Sequence, residues 1–281
     1  MEKQPGSKNA SRHGHQDNCS PTLELETAAQ GRGFQQVAGV DEAGRGPLAG
    51  PVMVAAVILG KDWNAEHPLN DSKKLSSTKR EQLFDVICSE ALAFKIVSIS
   101  AEEIDRLNIL QATLHGMLLC LTEIEPAPDY ALVDGNRFPQ TTIRGEAVIK
   151  GDARSKSIAA ASILAKVTRD RVMVENAKRY PEWGFEGHKG YPTKQHRAAI
   201  EKYGLSPLHR RTFRLKSLSK LDRSSTAQLN VLRQRHDSRL EQQESKLPVN
   251  FCKSKDIALL NGITVPDLVN LILLQLTGSS F

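Results

Sequence analysis

The order of apolar and amphipathic stretches predicts an α/β protein, a mixed sheet with helices on both faces. Three observations predict it. Residues 51–59 form a near-continuous apolar run, as a strand buried on both faces does. Three strand-like stretches come early, and strands then alternate with helical patterns. The start of one helix, Ile158-Ala159-Ala160-Ala161, is rich in small residues, which lets a helix pack closely on a sheet.

The elements follow in order. Residues 1–34 are polar, rich in Gly, Ser, Asn, Gln and His, and are expected to be a disordered leader, with too little apolar surface to offset the entropy of ordering. Strands are expected at 37–41, at 51–59 after Gly50-Pro51, at 94–100 by alternation, at 130–134 before Gly135-Asn136, and, shorter, at 147–149. The first three could form an antiparallel meander. Thr78 and Glu81 fit a capping box for a helix running to about residue 92, and Ser100 and Glu103 fit another. Beyond that box Ile104, Leu107, Leu110, Leu114, Met117, Leu118 and Leu121 recur at helical spacing. A long helix is predicted over 155–178, and a fourth between Thr193 as cap and Gly204 as stop. Residues 222–248 are polar and charged, and a short C-terminal helix is expected at 265–276. The domain reading is a leader at 1–34, one folded domain at 35–215 and a C-terminal extension of unknown function, partly disordered, at 216–281.

The net charge of +6 and pI of about 9.1 suit a polyanionic partner, since basic side chains on phosphates release counterions. Cys19, Cys88, Cys120 and Cys252 form no C-x-x-C pair, which disfavours a thiolate zinc site and a disulfide framework and fits a reducing cytoplasm. Cys88 and Cys120 lie in apolar patterns, as core thiols do. The N-terminus lacks an apolar signal core, and the apolar stretch 268–276 is too short to span a bilayer, so no membrane association is expected. A monomer is the default, and no protein partner is identifiable.

Acids stand at strand ends: Asp41 and Glu42 after the first strand, Asp134 after the fourth, Asp152 after the fifth. Each could merely cap a loop. Together, at the ends of strands in one sheet, they can share a cleft, where their repulsion calls for a cation. Hard oxygen ligands favour Mg²⁺ or Mn²⁺ over zinc. Neighbours on an ideal strand point to opposite faces, so Asp41 and Glu42 can both serve only if the strand ends or twists; Gly44-Arg45-Gly46 supplies a break. That glycine pair could be a plain turn, or could let the backbone approach a sugar–phosphate chain. The frame from Gly39 to Arg45 has P-loop spacing but lacks the Lys and Ser/Thr that a nucleotide-binding loop needs. Basic residues surround the acids in sequence: Lys73, Lys74, Lys150, Arg154, Lys156 and Lys166, then His188, Lys189, Lys194, His209, Arg210 and Arg211. They suggest a basic rim over an acidic floor, with His188 and His209 able to meet phosphate. Tyr191 could stack on a sugar or base.

These residues resemble a known family, ribonuclease HII. The resemblance rests on the blocks Val40 to Val52, Asp71-Ser72-Lys73-Lys74-Leu75, Val133-Asp134-Gly135-Asn136, Lys150-Gly151-Asp152, Ser157 to Val167, Gly190-Tyr191-Pro192-Thr193, and His209-Arg210-Arg211-Thr212-Phe213. It covers about residues 35–215. It implies a ribonuclease H-like fold with a mixed five-stranded sheet. It also implies endonucleolytic cleavage of the RNA strand of RNA–DNA hybrids and incision 5′ to single ribonucleotides in duplex DNA. The ends would be 5′-phosphate and 3′-hydroxyl, produced by metal-assisted attack of water. Asp41, Glu42, Asp134 and Asp152 are the implied catalytic and metal-binding set for Mn²⁺ or Mg²⁺. Gly44, Arg45 and Gly46 would sense the ribose 2′-hydroxyl, Lys73 or Lys74 would hold phosphate, and Tyr191 would stack near the RNA–DNA junction. The sister family ribonuclease HIII resembles the chain less, lacking the Gly-Arg-Gly loop.

Overall fold

The computed structural model describes residues 20–61, 63–213 and 251–252. Strand β1 (Val37–Ala43) pairs antiparallel with β2 (Val52–Ile58) and parallel with β4 (Tyr130–Asp134). β2 pairs antiparallel with β3 (Ala93–Ile99), and β4 parallel with β5 (Arg144–Val148). The order β5-β4-β1-β2-β3 is the expected mixed sheet, and β1 to β3 form the expected meander. A two-residue strand, β6 (Phe251–Cys252), from the C-terminal extension, adds to the β3 edge. The helix expected at 265–276 lies outside the described residues.

β2 is buried along its whole length, which explains a continuous apolar run in place of alternation. Met53, Ala55 and Val57 pack with α2 (Ser77–Glu90) and α5 (Lys156–Arg179) on one face. Val52, Val54, Ala56 and Ile58 face α4 (Ile109–Glu123) on the other. Cys88 and Cys120 are buried thiols, as their patterns predict. No helix among the described residues is long and apolar enough to cross a membrane.

Three local expectations are corrected. The α2 cap is Ser76, whose hydroxyl accepts from the Lys79 amide at 3.2 Å, not Thr78. The helical spacing from Ile104 to Leu121 is divided between α3 (Ala101–Leu107) and α4. Asn108, at φ 67°, makes the break, and its side chain accepts from the amides of Leu110 and Gln111. The capping box of Ser100 and Glu103 is present at the start of α3.

The third correction is α1 (Glu24–Gly31), which stands inside the leader expected to be disordered. Composition averaged over 34 residues hides a short amphipathic helix. Its Ala29 is fully buried, beside Val37, Tyr130 and Ile158. Its Glu26 is buried as well, and accepts from Ser155 Oγ (2.6 Å), Ser157 N (2.9 Å) and Ser157 Oγ (2.6 Å). The carboxylate thus sits on the N-terminus of α5, where free amides and the helix dipole favour negative charge. Thr22 adds two backbone bonds there, to Arg154 and from Lys156.

The start of α5 lies against β1 without clearance. A Cβ on Gly39 would fall 2.2 Å from the Ser157 carbonyl carbon and 2.3 Å from the Ile158 nitrogen. Both are backbone atoms, so the helix would have to move. Gly39→Ala is expected to destabilise the protein by about 1–3 kcal/mol and to lower the thermal midpoint by several degrees. Gly31→Ala, where an added Cβ meets nothing within 4 Å, is expected to leave it nearly unchanged. Circular-dichroism melts of both variants check this.

Candidate active site

The parallel ladder between β1 and β4 ends at Val40 and Val133. The next residue on each strand is an acid, Asp41 and Asp134, so the register itself sets the two side by side. β1 continues along β2 to the Ala43–Met53 pair, so a crevice opens at the C-terminal ends of the parallel strands. Asp152 enters from the turn after β5. Lys150 turns the chain at φ 55°, and the short 3-10 turn Gly151–Ala153 carries the acid. The Gly151 amide donates to Asp134 Oδ1 at 2.7 Å, tying that turn to the end of β4.

The strand does not break between Asp41 and Glu42; it runs to Ala43 and turns at Gly44, φ 102°. Asp41 is 4% exposed, and its Oδ1 accepts from the Glu42 amide at 2.7 Å. Glu42 is less enclosed and pairs with Arg45 at 3.3 Å. Both nevertheless feel Asp134. Burial first, then repulsion from Glu42, Asp134 and Asp152, holds the Asp41 carboxyl well above the usual range, against the Glu42 amide bond. Burial also raises Glu42, with Asp134 adding to it and Arg45 and Lys73 opposing. Asp152 is raised by burial and by Asp71 and Asp134, with Lys73 opposing.

Lys73 Nζ lies 3.9 Å from Asp152 Oδ2. Burial lowers the pKa of its ammonium, but Asp71, Asp152, Asp41 and Asp134 outweigh this and raise it. Lys74 is exposed beside it. Asp71, which carries the turn by accepting from the Lys73 amide at 2.9 Å, is a further acid of this neighbourhood that strand-end logic missed, because it sits in a loop. Among the described residues no three His, Cys, Asp or Glu side chains close into a cage for one ion. The all-oxygen donor set and its mutual repulsion still suit a hard divalent cation, which would hold Asp41, Glu42, Asp134 and Asp152 in their ionised forms.

The Gly44-Arg45-Gly46 loop borders this crevice. Arg45 and Gly46 are exposed, while Gly44 and residues 47–50 are buried. The position of a Cβ on Gly46 lies 3.8 Å from Tyr191 Cε1, so the loop and the aromatic ring, 42% exposed, are neighbours. Much of the expected basic rim lies elsewhere. Lys156 donates to the carbonyls of Ala65 and His67, and Lys166 pairs with Asp170 along α5. His188, His209 and Arg210 are buried rather than open to phosphate.

These buried groups hold the loops. Arg210 donates to the carbonyls of Gly44, Arg45, Pro47 and Gly50. Burial and Arg169 pull its pKa down to about 9, so it remains a cation at neutral pH. Arg169 donates to Ala49, Pro51 and Lys189 carbonyls, and its guanidinium carbon lies 5.8 Å from the Tyr191 ring centroid. His196, on α7 (Lys194–Tyr203), and His209 form a hydrogen-bonded relay beside α6 (Phe185–His188). His196 Nδ1–H donates to the Tyr191 carbonyl at 2.9 Å, leaving Nε2 to accept from His209 Nε2–H at 3.0 Å. His209 Nδ1 accepts from the Ser206 amide at 2.8 Å. Burial, with repulsion from His188, pulls the pKa of His196 to about 4, and burial, with repulsion from His196 and His188, pulls that of His209 to about 3.

The chain matches the model of the Ribonuclease HII family over residues 38–216. A Ribonuclease HII of Clostridioides difficile is 51% identical over 189 residues, covering 67% of this chain and 74% of that one. One of Delftia acidovorans is 55% identical over 177 residues, covering 63% and 75%. The crystal structure of ribonuclease H2 from Pyrococcus horikoshii has a TM-score of 0.56 at 28% identity, covering 67% of this chain and 97% of that chain. The structure of an RNase HII from Archaeoglobus fulgidus in a complex with PCNA has a TM-score of 0.52 at 26% identity, covering 64% of this chain and 96% of that chain. The fold is that of a ribonuclease H hydrolase, a family dependent on divalent metal. The chain belongs to the ribonuclease HII family, endonucleases acting on the RNA of RNA–DNA hybrids.

Two pH consequences follow. The folded pKa of each relay histidine is lowered below its unfolded value, so the unfolded chain binds more protons as pH falls below about 6.5. Stability is therefore complete above that pH and declines toward the folded pKa. Between pH 7 and 5 each histidine is expected to remove about 1–2 kcal/mol, seen as a falling urea midpoint that His209→Gln makes shallower. Asp41 has the opposite sign: its raised pKa means stability is complete below about pH 3.9 and lost as pH rises through the folded value. Asp41→Asn is expected to raise the melting midpoint at pH 7 in chelator, measured by differential scanning fluorimetry.

Proposed function

We propose that this chain cleaves the RNA strand of RNA–DNA hybrids and incises duplex DNA 5′ to single embedded ribonucleotides, leaving 5′-phosphate and 3′-hydroxyl ends. Residues 35–215 are its catalytic unit. One observation carries the reading: the β1–β4 register sets Asp41 beside Asp134 at the strand ends, with the Gly44-Arg45-Gly46 loop beginning two residues beyond Glu42.

In this reading Asp41, Glu42, Asp134 and Asp152 hold Mg²⁺ or Mn²⁺. The bound metal supplies Lewis-acid polarisation of the phosphate and a more acidic water. The chain's own groups do the rest. Lys73, beside Asp152, holds the phosphate next to the scissile one, and Lys74 adds to the same basic edge. The Gly44-Arg45-Gly46 backbone meets the 2′-hydroxyl, the group that tells RNA from DNA. Tyr191 offers its exposed ring to the sugar at the RNA–DNA junction. Nothing in this arrangement asks the 2′-hydroxyl to attack: the histidines that could act as its base, His188, His196 and His209, are buried and bonded to one another or to backbone.

The test is a duplex with one ribonucleotide, incubated with Mn²⁺ or Mg²⁺ and with chelator, beside Asp134→Asn. Metal-dependent cutting 5′ to the ribonucleotide is expected, and the variant should lose at least about 100-fold in rate while still folding. Folded wild-type protein that binds hybrids and cuts neither substrate would replace this reading with a non-catalytic hybrid binder. Cutting of all-DNA duplex would point to a nuclease of different specificity.

A further inference from the structure

Arg210 is an enclosed cation beside the site, 2% exposed, and among the described residues no carboxylate pairs with it. Its guanidinium is satisfied by main-chain carbonyls alone. Nη2 donates to Gly44 (2.6 Å) and Gly50 (2.8 Å), Nη1 to Arg45 (3.0 Å) and Pro47 (2.9 Å), and Nε to Gly50 (3.0 Å). A planar fork of five N–H groups can reach four carbonyls at once; an ammonium cannot.

Peptide geometry gives this a consequence. In a trans peptide the carbonyl and the following N–H point in opposite directions. Drawing the Gly44 and Arg45 carbonyls toward Arg210 turns the N–H groups of Arg45 and Gly46 away from it. Neither N–H has an acceptor among the described residues, and both residues are exposed while their flanks are buried. The aromatic ring of Tyr191 stands beside Gly46. Charge-assisted bonds to a carbonyl also polarise its peptide, which strengthens the N–H as a donor.

The anchoring of Arg210 uses none of the four strand-end acids. Its amide donates to the Leu48 carbonyl, the Leu48 amide donates to Gly190, and Ala49 bridges to His209. Asp105 on α3 accepts from the amides of Arg211 and Thr212. His209 leads through His196 to the Tyr191 carbonyl. The pair His209-Arg210 therefore supports both the loop and the ring from behind.

We propose that Arg210 is a positioning residue for ribose recognition, holding two carbonyls inward so that the N–H groups of Arg45 and Gly46 form a donor pair for the 2′-hydroxyl oxygen of the substrate. This rests on the reading of Gly44-Arg45-Gly46 as the ribose sensor. Arg210 itself touches no substrate. Its loss acts on turnover of ribonucleotide substrates and leaves affinity for DNA backbone, which Lys73 and Lys74 serve, in place.

The experiment compares wild type with Arg210→Lys and Arg210→Ala, each confirmed folded by circular dichroism. Turnover is measured on a duplex with one ribonucleotide, and binding on the same duplex made wholly of DNA. Expected are a loss in kcat of about 100-fold, all-DNA affinity within about twofold of wild type, and partial rescue of Arg210→Ala by millimolar ethylguanidinium but not ethylammonium. Wild-type kcat in a folded variant would overturn the proposal. So would equal losses in turnover and DNA affinity without rescue, which is general loosening of the fold. If neither variant folds, amide resonances of wild-type Arg45 and Gly46 decide: shifts with the ribonucleotide duplex and none with all-DNA support it, and equal shifts overturn it. A wild-type protein indifferent to the 2′-hydroxyl would instead sink the ribose-sensor reading, before any variant is compared.

Discussion

Asp41 is a carboxylate at 4% exposure in the middle strand of a sheet, within the field of three other acids, Glu42, Asp134 and Asp152. Burying an ion costs several kcal/mol even after relaxation. The cations nearest to it do not answer that charge. The side chains of Lys73 and Arg45 are 79% and 49% exposed, and pairs so open to solvent contribute little. The surrounding fold must therefore hold the acids together against their repulsion. It does so with fully buried β2, with α5 lying on Gly39 without clearance, and with the Gly151 amide on Asp134. The arrangement that weakens the protein alone is the one that welcomes a divalent cation, a trade between stability and function that active sites commonly show.

Buried strands are legible because burial on both faces leaves an unmistakable apolar run, as in β2, and β4 ends on Gly135-Asn136; β5, expected at 147–149, runs instead over Arg144–Val148, because its alternating, largely open residues leave no apolar run to read. The strand-end acids were legible for the same reason, once a mixed sheet was assumed. What failed was local or long-range. Apolar spacing continues smoothly from Ile104 to Leu121, and only a single Asn at φ 67° divides the helix. Ser and Thr are both residue types that cap helices, and the choice of Ser76 over Thr78 depends on where the chain turns. Glu26 looked like one more polar residue of a leader, because its partners, Ser155 and Ser157, lie about 130 positions away.

Basic residues show the limit most clearly. By sequence they formed one population around the acids. The fold separates them into exposed cations near Asp152 and buried ones whose partners are carbonyls. Arg169 and Arg210 cannot be told from surface arginines by spacing, since their acceptors are backbone atoms that carry no residue signature. The sheet alone also does not define the chemistry, since many functions share such folds. The loop between β1 and β2 separates this site from a nucleotide-binding one. Its carbonyls are drawn to Arg210, and acids stand where a phosphate cradle would need bare amides.

Helix α1 stands before the stretch that matches the family model, which begins at residue 38, yet its Glu26 sits on the N-terminus of the helix that follows Asp152. The packed unit therefore begins upstream of the stretch that matches the family model. A chain begun at residue 35 would expose the Ile158 and Tyr130 surfaces that Ala29 covers, and would leave the first amides of α5 to water. A change at Ala29 or Glu26 can thus reach the acid crevice through the packing of α1 on the start of α5.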